Sequence, residues 1–149
     1  MTQQLALQIA TRAHKGQVDK LGNDYILHPV RIAAQFSDDA DARIVALLHD
    51  VIEDTIGKPL GERVTEDDLR KLFTSTIVDA VVAITHTKEE SRQTYYDRVK
   101  ANHLALKVKL ADLADNVNRL DQLTDEATRQ RLTEKYRFAE QCLTNCHRQ

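Results

Sequence analysis

The chain has 149 residues, 42% hydrophobic and 30% charged, with 21 Lys and Arg against 23 Asp and Glu for a net charge of −2. Such a composition excludes a disordered chain, and well-mixed charge excludes the clustered basic face that a nucleic-acid backbone requires. No run approaches the roughly 18 apolar residues of a membrane span, and the start, MTQQLALQIATRAHKG, lacks the basic and apolar regions of a secretion signal, so the expectation is a cytoplasmic protein.

With four glycines, two prolines and no alternation of β-branched residues, nearly every stretch reads at helical period. The expected architecture is all-α, a single domain over 1–149, long enough to bury its core without disulfides. Leu5, Ile9 and Ala13 recur every four residues and define a first helix. A second should begin at Pro29, a residue favoured in a helix's first turn, and carry Ile32, Ala33 and Phe36. A third covers 40–54. After the Gly57/Pro59/Gly61 loop, Thr65 with Asp68 three residues on predicts a capping box opening a helix to Phe73. Another helix follows at 76–85.

Two long helices complete the prediction. One, over 103–121, sets Leu106, Leu110, Leu113, Val117 and Leu120 on one stripe; the other runs over 125–147. Cys142 and Cys146 share a face of the last helix and read as reduced helix residues rather than a redox or zinc pair. His14, His86, His103 and His147 read as structural or surface residues.

The segment ALLHDVIEDT (46–55) interrupts a leucine-burying helix with His49, Asp50, Glu53 and Asp54. On a helix these crowd one side within a turn and a half, and three carboxylates so close repel unless a cation or solvent lies among them. A solvated acidic helix end is the bland alternative. KLADLADN (109–116) adds a second cluster, Asp112 and Asn116 with Asp115 beside them, on the side away from the leucine stripe. YILHP contributes His28 at a helix entry.

Two histidines and two aspartates form a nitrogen–oxygen ligand set suited to manganese, iron or zinc rather than calcium. Such an ion lowers the pKa of water and polarises a phosphoryl group, and Glu53 and Asp54 would lie where a carboxylate can deprotonate that water. Spacing alone does not bring the three segments together.

The order H…HD…D in YILHPVRIAA, ALLHDVIEDT and VKLADLADN resembles the HD-domain metal-dependent phosphohydrolases. More narrowly, it is similar to the hydrolase domain of the RelA/SpoT family and the stand-alone small alarmone hydrolases. The likeness runs from AHKGQ at residue 13 through KLADLADNVNRL, and TEKYRFA fits the final helix. It implies an HD-domain helical bundle with His28, His49, Asp50 and Asp112 as ligands of one Mn²⁺. It implies Glu53 and Asp54 as the pair handling the nucleophilic water, and Lys20, Tyr25, Lys88, Asn116 and Tyr136 as groups that contact or line the pocket of a nucleotide.

The implied reaction removes the 3′-pyrophosphate of (p)ppGpp, giving GDP or GTP and pyrophosphate. The implied partner is a small nucleotide, with neither nucleic acid nor membrane involved, and the chain length leaves room for hydrolysis alone. VDKLGNDY (18–25) departs from the family's Tyr-Arg-Lys-x-Gly-x-Pro-Tyr: Asp19 stands where relatives carry an arginine able to stack on guanine. Two alternatives therefore stay open: a phosphatase of another nucleotide such as NADPH, and a helical module that binds a nucleotide without cleaving it.

Overall fold

The computed structural model describes residues 2–145. Among them are nine α-helices: α1 (Thr2–Ala13), α2 (Leu27–Ala33), α3 (Ala40–Leu48), α4 (Val51–Thr55), α5 (Glu66–Arg70), α6 (Ser75–Ile84), α7 (Arg92–Lys100), α8 (His103–Asn118) and α9 (Glu126–Thr144). Short 3₁₀ turns occupy Leu60–Glu62 and Leu120–Gln122, and an isolated antiparallel bridge joins Val18 to Asp24. The all-α expectation holds. No described helix is long and apolar enough to cross a membrane.

Small residues line the contact between α1 and α3. Ala6, Ala10 and Ala13 bury one face of α1 against α3, where Ala42 and Ala46 are fully buried, while Leu5 and Ile9 flank the contact. α8 lies at the centre and packs on α2, α3, α6, α7 and α9. α6 is its apolar neighbour, burying Ile77, Val78, Ala80, Val81, Ala83 and Ile84.

Four departures from the predicted elements matter. The helix expected over 40–54 is two helices broken at His49 and Asp50, where Asp50 takes φ −112° and ψ 1°. That sparsely populated backbone region recurs at active sites. α2 opens at Leu27 rather than Pro29, which leaves the proline in the first turn, where its missing N–H is not needed, and puts His28 inside the helix. α7 was not foreseen because its sequence is mostly polar; Ser91 caps it by accepting from the Thr94 amide, and it buries Tyr95, Tyr96 and Val99.

The fourth departure is the rotation of α8. Its buried residues are Ala105, Val108, Asp112, Leu113 and Asp115, whereas Val117 is 47% exposed. The acidic side faces the interior together with Leu113, while Leu106 and Leu110 pack only partly buried against the core, and the helix stops at Asn118 with Leu120 buried in the 3₁₀ turn beyond.

The Thr65–Asp68 capping box is present with both hydrogen bonds, although α5 ends at Arg70 and Phe73 is buried after a turn. α9 is described to Thr144; Cys142 is half-buried, and Cys146 and His147 lie outside the described residues.

Arg98 of α7 closes the end of α6. Its guanidinium donates to the carbonyls of Ala83 (3.2 Å) and Thr85 (2.7 Å) and pairs with the Glu90 carboxylate. That pairing lowers the Glu90 carboxyl from 4.5 to about 2. The stability it contributes is complete above pH 4.5 and disappears as pH falls through about 2. Urea unfolding should therefore show wild type more stable than Glu90→Gln at neutral pH, with the difference gone near pH 2. Ala10→Leu should destabilise the fold by about 1–3 kcal/mol through overpacking against α3, read in the same assay.

Candidate active site

His28 from α2, His49 and Asp50 from the α3–α4 break, and Asp112 from α8 meet in the interior. His28, His49 and Asp50 each offer one ligand atom, all within 4.8 Å of one another. Asp112 Oδ1 lies 2.8 Å from His28 Nε2 and 3.6 Å from His49 Nε2. His49 is 2% exposed, which rules out the solvated helix end there.

Both imidazoles are oriented by their other nitrogen. His49 Nδ1–H donates to the Ala46 carbonyl at 2.6 Å, and His28 Nδ1–H donates to Asp115 at 2.8 Å. Arg31 fixes that carboxylate with two hydrogen bonds, at 3.0 and 2.9 Å. Each Nε2 is thereby turned toward carboxylate oxygen. His49 Nε2 has no hydrogen-bond partner among the described residues, although it is buried and only 3.1 Å from Asp50 Oδ2.

A lone pair facing an anion at that distance calls for a proton or a cation between them. Burial disfavours charge on His28 and His49, yet the aspartates outweigh it and raise both pKa values. Burial likewise opposes ionisation of Asp112, but Lys109 and the two histidines hold its carboxyl well below the ordinary range. Two fixed imidazoles grouped with Asp50, and Asp112 beside both imidazoles, form a donor set that fits a divalent cation.

Glu53 and Asp54 follow on α4. Glu53 Oε1 accepts from the His86 amide at 3.2 Å. Asp54 Oδ2 accepts from Gln17 Nε2 at 3.0 Å, and Gln17 Oε1 meets His14 Nδ1 at 2.9 Å. Burial, then the charge of Asp50, raises both carboxyls and makes them better proton acceptors than ordinary carboxylates. The Tyr25 hydroxyl, its pKa pushed up by burial and by Asp50, stays protonated and donates to Asp50 Oδ2.

A cavity of about 370 Å³ opens beside the cluster, and Lys20, Tyr25, Asp54, Asn116 and Tyr136 all line it. Lys88 does not; it is exposed on the loop after α6, and Glu53 is also outside the lining. Four residues at or beside the site escaped the sequence reading of roles. Asp115 orients His28; Lys109 Nζ pairs with Asp112 at 3.0 Å; Gln17 holds Asp54; and Arg119 lines the cavity. Lys109 and Asp115 stand three residues either side of Asp112, so helical spacing offered a signal for both. Gln17 and Arg119 act across long sequence separations and gave none.

The HD-domain family model matches residues 6–143, and the chain belongs to that family. It is 31% identical over 148 residues to guanosine-3′,5′-bis(diphosphate) 3′-pyrophosphohydrolase MESH1 of Danio rerio, covering 91% of this chain and 78% of that one. It is 36% identical over 135 residues to the guanosine-3′,5′-bis(diphosphate) 3′-pyrophosphohydrolase of Haemophilus influenzae, covering 81% of this chain and 19% of the relative. The chain spans about a fifth of the length of the long bacterial relatives it matches. A solved structure of a metazoan SpoT ortholog, described as hydrolysing ppGpp, shares the fold, with a TM-score of 0.79 at 24% identity over 97% of this chain and 86% of that one.

Asp115→Asn should keep the fold but loosen His28, lowering divalent-cation affinity by about 10–100-fold in calorimetric titration.

Proposed function

We propose that this chain acts as one HD hydrolase domain that removes the 3′-pyrophosphate of ppGpp and pppGpp, with a single Mn²⁺ held by His28, His49, Asp50 and Asp112. One observation carries the reading: a buried, oriented two-His, two-Asp cluster beside a cavity large enough for a nucleotide moiety. The bis(diphosphate) hydrolase names of MESH1 and the bacterial relatives supply the substrate class. Manganese is preferred because mixed imidazole and carboxylate donors suit it better than calcium.

When bound, the ion supplies a Lewis acid that polarises a phosphoryl oxygen and acidifies water. Glu53 and Asp54, both poised to take a proton, deprotonate the water that attacks the phosphorus next to the 3′-oxygen. The 3′-oxygen–phosphorus bond breaks, pyrophosphate departs, and the 3′-oxygen takes up a proton to leave GDP or GTP. Tyr25 keeps Asp50 in place with its hydroxyl. Lys20, Asn116 and Tyr136 contact the nucleotide in the cavity, and Lys88, on the loop whose His86 amide holds Glu53, is assigned the outer phosphates.

Mn²⁺-loaded protein should release pyrophosphate and GDP from ppGpp. Orthophosphate from NADPH, with no pyrophosphate from ppGpp, would defeat this assignment in favour of a phosphatase. Glu53→Gln should retain Mn²⁺ while kcat falls by roughly two orders of magnitude. Asp50→Ala should lose the ion, together with the rise in Tm that Mn²⁺ gives the wild type.

A further inference from the structure

We infer that Arg119 reads the purine edge of the bound nucleotide and selects guanine over adenine, an inference that rests on the nucleotide assignment above. Arg119 is the residue after α8, and its side chain, 20% exposed, lies in the wall of the cavity. It is held by Asp19, whose Oδ2 accepts from Arg119 Nη2 at 2.8 Å.

Asp19 is itself immobilised. Its Oδ1 accepts from the amides of Leu21 and Asn23, both at 2.9 Å. The turn that carries it is closed by the Asp19 amide donating to Asn23 O at 2.9 Å and by the Gly22 amide donating to Asp19 O at 3.0 Å. Gly22 adopts φ 85°, a conformation that favours glycine. A carboxylate tied to the backbone at one oxygen is a fixed post for the guanidinium at the other.

That post occupies a single N–H of Arg119. A guanidinium carries five, in a rigid planar fork, and no other hydrogen bond is made by this one among the described residues. A side chain whose only role was to pair with Asp19 would not need to stand in the cavity wall with most of its donors unused.

The surroundings fit a base. Leu21, Leu120, Leu123 and Leu132 line the same cavity with Tyr136, apolar side chains on which a flat ring system can pack. Its other lining includes Tyr25, which touches Asp50, and Asp54. Along α8 the order is Asp112 at the cluster, Asn116 one turn on, and Arg119 nearly another turn on. At 1.5 Å per residue Arg119 stands about 10 Å along the axis from Asp112. A 3′-phosphoryl group at the cluster would place its purine across the ribose at about that reach.

Guanine offers two adjacent acceptors, O6 and N7, that match two parallel N–H groups of an arginine; adenine places an amino donor where O6 would be, against another donor. The charge of Arg119 would attract either nucleotide, but its N–H donors distinguish them, meeting acceptors on guanine and an amino group on adenine.

The test is calorimetric binding of GDP and ADP to the full Mn²⁺-loaded chain. Wild type should prefer GDP by about tenfold or more, the scale of a bidentate base contact. Arg119→Ala should bring GDP down to the ADP level while ADP binding stays within about twofold. Arg119→Met keeps much of the side chain's length but no donor, and should lose the preference as well. If Arg119→Ala melts well below wild type, the methionine variant decides: preference lost supports the inference, preference kept overturns it. Equal binding of GDP and ADP by wild type, no GDP binding, or equal weakening of both by Arg119→Ala also overturns it, the last identifying a phosphate contact instead. Absence of pyrophosphate release from ppGpp with the GDP preference intact would defeat the reaction while leaving Arg119 in its role; release without base preference would do the reverse.

Discussion

Asp112 is a carboxylate buried in the centre of a helical protein, and such a charge is tolerated only where opposite charge and hydrogen bonds surround it. His28 Nε2 at 2.8 Å and Lys109 Nζ at 3.0 Å approach it from α2 and from α8 itself, with His49 Nε2 at the end of α3 3.6 Å away. Packing α8 against α2 and α3 and compensating Asp112 are therefore one event. Asp115, one turn further, repeats the solution with Arg31 and His28 Nδ1. Together the two aspartates explain why α8 turns its acidic side inward and leaves Val117 in solvent.

The break between α3 and α4 serves the same centre. A continuous helix would turn successive side chains about 100° apart, since 3.6 residues complete a turn. At the break both His49 Nε2 and Asp50 Oδ2 reach one point, 3.1 Å apart, with His49 anchored through the Ala46 carbonyl. The residues on α4 are then carried past the cluster, where Gln17 and the His86 amide hold Asp54 and Glu53. The long-range contacts fix the orientation of side chains whose spacing in sequence only brought them near.

Much of this was legible beforehand. The all-α class followed from helical periodicity, and the Thr65–Asp68 cap from its own residue types, because both are local effects. The grouping of His28, His49, Asp50 and Asp112 came from residue chemistry and from a family resemblance. Five of the predicted nucleotide and water-handling residues line one cavity. Lys88 stands apart from it, and α7 went unseen: a mostly polar segment gives little apolar period, and Tyr95 and Tyr96 are buried only because α6, α8 and α9 pack around them.

Asp19 shows the limit from the other direction. In the sequence it stands as a carboxylate where the family resemblance would lead one to expect an arginine; in the folded chain it grips Arg119, a hundred residues away, in the wall of the cavity. Helix content, the capping of α5 and the supply of candidate metal-ligating side chains follow from short-range spacing and intrinsic chemistry. Tertiary structure alone decided which face of α8 is buried, where the 40–54 helix breaks, and which carboxylate meets which cation. Those outcomes depend on compensating buried charge between helices, a balance that no local window contains.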